Sequence, residues 1–299
     1  MLTSRAGVFA GIGYMVLATA FFGVLDTAAK YVAISVAVLM AISVRYLVQA
    51  ILSALVLVPV HGRALLVLRH PWLQMLRGAL FAVTTTAALL ALQHMPVGEF
   101  AAIIMLTPML VTVLAVRVLK EKVSPWHWVF VAGGLLGALV IIRPGADTGP
   151  GWWALSALAC VAFSTAFQLL SSHLGRHENP AATHMCTVGF CAGLGLLGLP
   201  WTWTDVASPW LWAMMVLTGV AGAAGHFILA LAYQRAPVST LMPYMYCQIG
   251  FATLGGWWAF GHAPDRWAWI GMALIATCGL CSAWLTAHDR RAAALLPET

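Results

Sequence analysis

The chain has 299 residues, of which 62% are hydrophobic and only 8% charged, with a mean hydropathy of +0.91. A soluble domain carries about 25% charged residues, so this composition cannot cover a water-facing surface, and a membrane protein is the class that remains. The formal net charge of +6 then has to be explained by where the charges fall rather than by an anionic partner.

Apolar windows long enough to cross a hydrocarbon core about 30 Å thick fall at 8–29, 36–60, 73–93, 99–119, 124–142, 151–174, 181–201, 208–233, 237–260 and 266–287. The first follows a single Arg5 and runs to full span length without a small-residue cleavage site, so it reads as a transmembrane helix and not as a removed signal peptide. The fourth opens with Pro96, Gly98 and Glu99, a breaker and then an acid where a helix N-terminus favours negative charge. A charged turn from Arg117 to Pro125 separates it from the fifth, which carries Gly133, Gly134 and Gly137, residues that let helices approach closely in lipid. The connections are too short for a soluble domain. Six cysteines lie inside the apolar windows, which implies neither a disulfide framework nor a metal site.

With the N-terminus placed inside, one side receives Arg5, Arg63, Arg69, Arg77, Arg117, Lys120, Lys122, Arg176, Arg235, Arg290 and Arg291, and the other only Lys30, Arg143 and Arg266. The positive-inside rule then predicts a multi-pass protein of the cell inner membrane with both termini cytoplasmic. Tryptophans cluster near the window ends, as interfacial anchors do. The basic charge is topological, and no nucleic-acid partner is expected.

The ordered set Pro96-Val97-Gly98-Glu99-Phe100-Ala101, Thr107-Pro108, Lys120-Glu121-Lys122, a Trp126-led helix rich in glycine, and Ile142-Arg143-Pro144-Gly145 resembles the EamA domain of the drug/metabolite transporter superfamily. The resemblance implies an all-α integral membrane fold of ten transmembrane helices in two inverted five-helix repeats, 1–147 and 148–299, the second ending in a short cytoplasmic tail. It also implies a function, the movement of small metabolites across the bacterial inner membrane.

A constant offset of 141 residues relates the halves: Ala91, Gln93, Pro96 and Val97 meet Ala232, Gln234, Pro237 and Val238, and Trp126 and Trp128 meet Trp267 and Trp269. Five spans per repeat is odd, so the halves are expected to cross the membrane in opposite senses, with a site near midplane between them. The second copy departs from the family pattern: Thr240 stands at the place of Glu99, Gln248 at that of Thr107, and Gly261-His262 at that of Lys120-Glu121.

No metalloprotease, nucleophile-elbow or phosphate-loop motif is present, and no cofactor or metal is expected. An intramembrane enzyme or a channel-like or receptor-like protein are the rival classes. Paired acids or a Ser/Lys dyad at one depth would favour the enzyme, and ten short-looped spans in two inverted halves favour alternating access. Ionisable residues inside spans are costly and usually face an interior, which selects Asp26, Arg45 and Glu99 as a charge network or gate near one membrane face. The plainer readings are a helix-dipole acid for Glu99 and a snorkelling structural charge for Arg45. The resemblance implies a path lined by spans 1, 3, 4, 6, 8 and 9, and there Thr84, Thr107, Ser164, Gln168, His226, Tyr244 and Gln248 are the candidate lining residues. Gln248 lies one helical turn from Tyr244 and should share its face. His226 would suit a proton-linked cycle if it is accessible. The expected cargo is a small amphipathic metabolite: an amino acid, a nucleoside-like or a flavin-like solute. The segment Asp26–Lys30 resembles family members associated with riboflavin or S-adenosylmethionine uptake. Direction, coupling and oligomeric state stay open.

Overall fold

The computed structural model describes residues 5–118, 125–143, 153–174, 177–236 and 238–294, and every element among them is helical. The Lys120–Lys122 turn and Pro237 lie outside the described residues. Twelve α-helices follow in order: α1 (Arg5–Ala33), α2 (Val38–His61), α3 (Pro71–His94), α4 (Val97–Ile104), α5 (Thr107–Val118), α6 (Trp126–Ile142), α7 (Ala154–Leu174), α8 (Pro180–Thr202), α9 (Pro209–Arg235), α10 (Val238–Met245), α11 (Cys247–Phe260) and α12 (Arg266–Ala294). Seven of them (α1, α2, α3, α7, α8, α9 and α12) are long and apolar enough to cross a membrane singly, and the 17-residue α6 is shorter. With α4–α5 and α10–α11 each forming one crossing, the fold has ten spans.

Local chemistry sets the ends. Pro71, Pro180 and Pro209 occupy first-turn positions where a missing N–H costs nothing. Asn179 caps α8 by accepting from the Ala181 N–H at 2.9 Å, and Asp265 caps α12 by accepting from the Ala268 N–H at 2.8 Å. Gly261, at φ +68°, ends α11 with its N–H on the Trp257 carbonyl, the left-handed stop that glycine takes most easily.

The two windows expected as continuous helices, 99–119 and 237–260, are broken. Pro108 has no N–H for the Ile104 carbonyl, and its ring would collide with it, so the chain stops at Ile104, turns through Met105-Leu106 and restarts at Thr107. The Leu106 N–H bonds the Ile103 carbonyl at 3.0 Å instead, the tighter i→i−3 spacing. The ninth span breaks at Tyr246, three residues past Pro243, which lies inside α10; the Tyr246 N–H reaches the Pro243 carbonyl at 3.4 Å and the Ile249 N–H bonds the Tyr246 carbonyl at 3.1 Å across the break. The breaks fall at Met105 and Tyr246, and they touch: the Tyr246 hydroxyl donates to the Met105 carbonyl at 3.2 Å.

End-to-end contacts define two faces. At the face carrying both termini, Gly11 of α1 lies against Ala236, His127 bonds Thr286 at 2.9 Å, and the loop residue Glu178 reaches His70. At the opposite face, Arg143 pairs with Asp265 at 2.6 Å. There the Lys30 ammonium donates to the Leu92 and Met95 carbonyls at 2.9 and 3.0 Å, a cation on the open end of α3. The main packed pairs are α1 with α9, α3 with α7, α2 with α8, α6 with α12, and α4 with α11. Gly137 and Gly271 bring α6 and α12 together, since a Cβ on Gly137 would stand 2.9 Å from the Gly271 carbonyl oxygen.

The fourth and ninth spans meet unevenly. At the face away from the termini, α4 is buried along seven of its eight residues and packs against α11. At the termini face their other halves, α5 and α10, make no comparable contact among the described residues; α5 lies on α7 and α6, and α10 on α12 and α1.

Candidate functional site

Where α1, α2, α3, α7, α9 and α11 converge near mid-depth, the sequence supplies a chain of aromatic rings edged with polar heads. Phe81 of α3 is its centre. It stacks on Phe167 of α7 at 4.8 Å between centroids and lies 5.7 Å from Tyr46 of α2 and 6.4 Å from His226 of α9. Phe22 of α1 closes on His226 edge-on at 5.2 Å. Two guanidinium groups bracket the rings: Arg77 sits 4.4 Å over Phe167 and Arg45 sits 5.4 Å from the Tyr46 ring, both within cation–π range. Offset and edge-on pairs are the arrangements that ring quadrupoles favour.

The polar heads differ in how they are satisfied. Tyr46 bonds Thr85 through their hydroxyls. Arg77 is heavily committed, donating to Ser171 Oγ at 2.7 Å, to the Thr183 carbonyl at 3.2 Å and to Thr187 Oγ1. It ties α3 to α7 and α8. Asp26 accepts from the Gln248 amide at 2.9 Å, joining α1 to α11. By contrast Arg45 Nε, both amide atoms of Gln49 and Thr107 Oγ1 are buried with no hydrogen-bond partner among the described residues.

The expected charge network is divided. Asp26 lies within electrostatic reach of Arg45 but spends its hydrogen bond on Gln248. Glu99 is buried at the start of α4, where its charged neighbours are Arg143, Asp265 and Lys30 instead of Arg45. The helix geometry explains this: α4 begins at the face away from the termini, whereas Arg45 is already two turns down α2.

The other candidates scatter. His226 and Gln248 join the cluster. The Thr84 hydroxyl bonds the Leu80 carbonyl of its own helix at 2.8 Å, and it is Thr85 that faces inward. Thr107 sits at the break of the fourth span. Ser164 is half-buried and Gln168 exposed, and neither bonds into the cluster, although Phe167 between them does. Tyr244 and Gln248 fall on different helices, α10 and α11, either side of the break at Tyr246; Tyr244 packs towards Met15 and Leu241, while Gln248 bonds Asp26. Sequence reasoning missed Gln49, Arg77, Phe81 and Phe167. Arg77 carried a usable signal, being a charge inside the window 73–93 by the same criterion that selected Arg45.

Outside the spans, two carboxylates are held ionised. Burial opposes ionisation of Glu178, but the Arg69 and His70 N–H groups and the His70 ring, at 2.7 to 3.2 Å, bring it below the usual carboxylate range. Asp265 is lowered chiefly by the Ala268 N–H and further by Arg143. A cavity of about 610 Å³, bordered by Ala33, Ser35, Gln93, Thr204, Asp205 and Leu211, opens at the face away from the termini and does not reach the ring cluster.

The EamA-like transporter family matches residues 9–143. A riboflavin transporter of Rhizobium johnstonii is 29% identical over 220 residues, covering 73% of this chain and 72% of that one. An S-adenosylmethionine uptake transporter of Rickettsia bellii is 22% identical over 230 residues, covering 75% and 77%. A solved crystal structure shares the fold, with a TM-score of 0.64, 18% identity and coverage of 95% of this chain and all of that one. The resemblance to the EamA-like family thus falls on the first half of a ten-span molecule, and the similar proteins are named as transporters of riboflavin and of S-adenosylmethionine.

Proposed function

We propose that this protein is a secondary transporter of riboflavin or a closely similar flavin, working by alternating access between two inverted five-span repeats, 1–147 and 148–299, with both termini in the cytoplasm. The observation that carries the reading is the ring cluster. A carrier site for a planar heteroaromatic solute needs flat apolar surfaces at mid-depth and a few polar heads to fix orientation; Phe81, Phe167, Phe22 and Tyr46 supply the surfaces, and Arg45, Gln49, Asp26 and His226 the heads. The higher identity to a riboflavin transporter than to an S-adenosylmethionine transporter supports the same cargo class. The positive-inside distribution of Lys and Arg supports the orientation in the inner membrane.

The repeat reading gives the uneven packing of the broken spans a meaning. Shifting by 141 residues carries α4 onto α10 and α5 onto α11. The α4–α11 contact therefore has an equivalent, α5–α10, which is not comparably packed among the described residues. We read the molecule as closed on the periplasmic side and open towards the cytoplasm, and the exchange of one contact for the other as the transport step.

The test is binding to purified protein in detergent. Free riboflavin is fluorescent, and stacking on Phe81 and Phe167 should quench it saturably; Phe81→Ala should weaken binding at least tenfold. Absence of saturable quenching and of any thermal stabilisation by riboflavin sinks the flavin reading. Comparing uptake with and without an imposed pH gradient then decides whether a proton accompanies the cargo.

A further inference from the structure

The reading that flavins are the cargo leaves open how their polar edge is held. We propose that Gln49, with Arg45 beside it, recognises the cyclic imide edge of the substrate, the C=O, N–H, C=O sequence of a pyrimidinedione ring. This rests on the flavin reading above.

Gln49 is 1% exposed, and neither its Oε1 nor its Nε2 has a hydrogen-bond partner among the described residues. Buried amide groups are almost always bonded, because an unpaired donor or acceptor forfeits its hydration without return. Gln74, the other glutamine of comparable burial on these helices, keeps a bond from Nε2 to Thr183 Oγ1 at 2.8 Å. Gln49 keeps none. One turn earlier on α2, Arg45 has its Nε unpaired as well.

Both heads face the same stretch of α9, where Gly222 has no side chain. A Cβ there would stand 3.4 Å from Gln49 Oε1 and 3.9 Å from Arg45 Nη2. A carboxamide offers an acceptor and a donor side by side, and an imide edge offers the complementary donor and acceptor. The imide N–H donates to Gln49 Oε1, Gln49 Nε2 donates to one imide carbonyl, and the Arg45 guanidinium has a free N–H for another acceptor on the ring. The apolar body of the heterocycle then lies towards the Tyr46–Phe81 rings. A site built on such bonds rejects an analogue that cannot form them, because its own buried groups stay unpaired.

The test compares riboflavin with N3-methylriboflavin, which keeps the ring system and carbonyls but has no imide N–H, on wild type and Gln49→Met. Wild type should bind riboflavin at least tenfold more tightly. Gln49→Met should bind both flavins alike, near the wild-type level for the methylated one, and without ligand it should melt no lower than wild type. That last readout separates recognition from structure, since exchanging an unpaired buried amide for an apolar side chain of similar shape does not weaken a fold. Equal wild-type affinity for the two flavins overturns the imide assignment while leaving the flavin reading standing. Discrimination retained in Gln49→Met overturns it, and so does a Gln49→Met protein that fails to fold or melts well below wild type. Binding of neither flavin by wild type removes the flavin reading and this one together.

Discussion

Gly98→Ala should open this protein at the face away from its termini, the periplasmic face in the orientation proposed above. Gly98 lies in the first turn of α4 against Thr253 of α11, and a Cβ added there would overlap Thr253 Oγ1 and stand 3.0 Å from Thr253 Cα and Cβ. Real Cβ contacts are almost never so short, and one of the opposing atoms is backbone. The hydroxyl cannot swing aside freely either, because it is bonded to the Ile249 carbonyl at 2.7 Å. Relief requires α4 and α11 to separate, and overpacking of this kind costs about 1–3 kcal/mol. If separation of α4 from α11 is the opening step, that cost falls on the closed state alone. The equilibrium then moves towards the periplasm-open state by about 5- to 150-fold. The assay is labelling of Ala102→Cys, fully buried in α4 here, in a chain whose six native cysteines are replaced, with a membrane-impermeant maleimide applied from the periplasmic side. Gly98→Ala should raise the labelling rate at least fivefold over the Ala102→Cys parent. A lowered melting temperature with unchanged labelling would mean that the clash is absorbed inside the closed state and that α4 and α11 do not separate on opening.

Asp26→Asn keeps an acceptor for Gln248 but removes the negative charge near Arg45; it should cut transport at least tenfold while shifting the melting temperature by only a few degrees, measured side by side in proteoliposomes and by thermal melt. Tyr246→Phe removes the hydroxyl that bridges the two helix breaks and should cost about 0.5–1.5 kcal/mol, while Gly279→Ala, whose Cβ would overlap the Tyr246 ring, should cost at least as much; melts equal to wild type for both would detach the breaks from stability. Glu178→Gln should destabilise the protein near neutral pH by about 1.5–3 kcal/mol through its charge-assisted bonds to the α3 entrance. Because the folded carboxyl is held below the usual range, its contribution is complete above the ordinary carboxylate value near 4.3 and fades as pH falls through the lower folded value. The melting curves of Glu178→Gln and wild type should therefore converge only on strong acidification, and a gap independent of pH would contradict this.

The spans were legible because lipid imposes a simple rule: every backbone group must be satisfied inside an apolar segment of known length. Window positions, short loops and proline starts all followed from that. The breaks at Met105 and Tyr246 were not read, although Pro108 and Pro243 announce them, because hydropathy is blind to whether a helix is continuous. For the same reason the one-turn spacing of Tyr244 and Gln248 does not by itself place them on one face, since a break lies between them. Arg45, Asp26 and Gln248 could be picked out as polar residues in apolar windows, and the structure brings them to one region. Gln49 satisfies the same test and was passed over among larger charges; nothing in one sequence marks which buried amide lacks a partner. Phe81 and Phe167 could not be singled out at all, because a phenylalanine facing a site and one facing lipid read alike until the helices are packed.

Carriage of a flavin through the Phe81–Phe167 cluster is measured by counterflow. Proteoliposomes loaded with unlabelled riboflavin are diluted into a trace of labelled riboflavin, with Phe81→Ala and protein-free liposomes alongside. Label should accumulate transiently above its equilibrium level in wild type, much less in Phe81→Ala, and not at all without protein. Wild-type vesicles that equilibrate no faster than protein-free ones, or Phe81→Ala vesicles that accumulate label as well as wild type, would contradict carriage by this route.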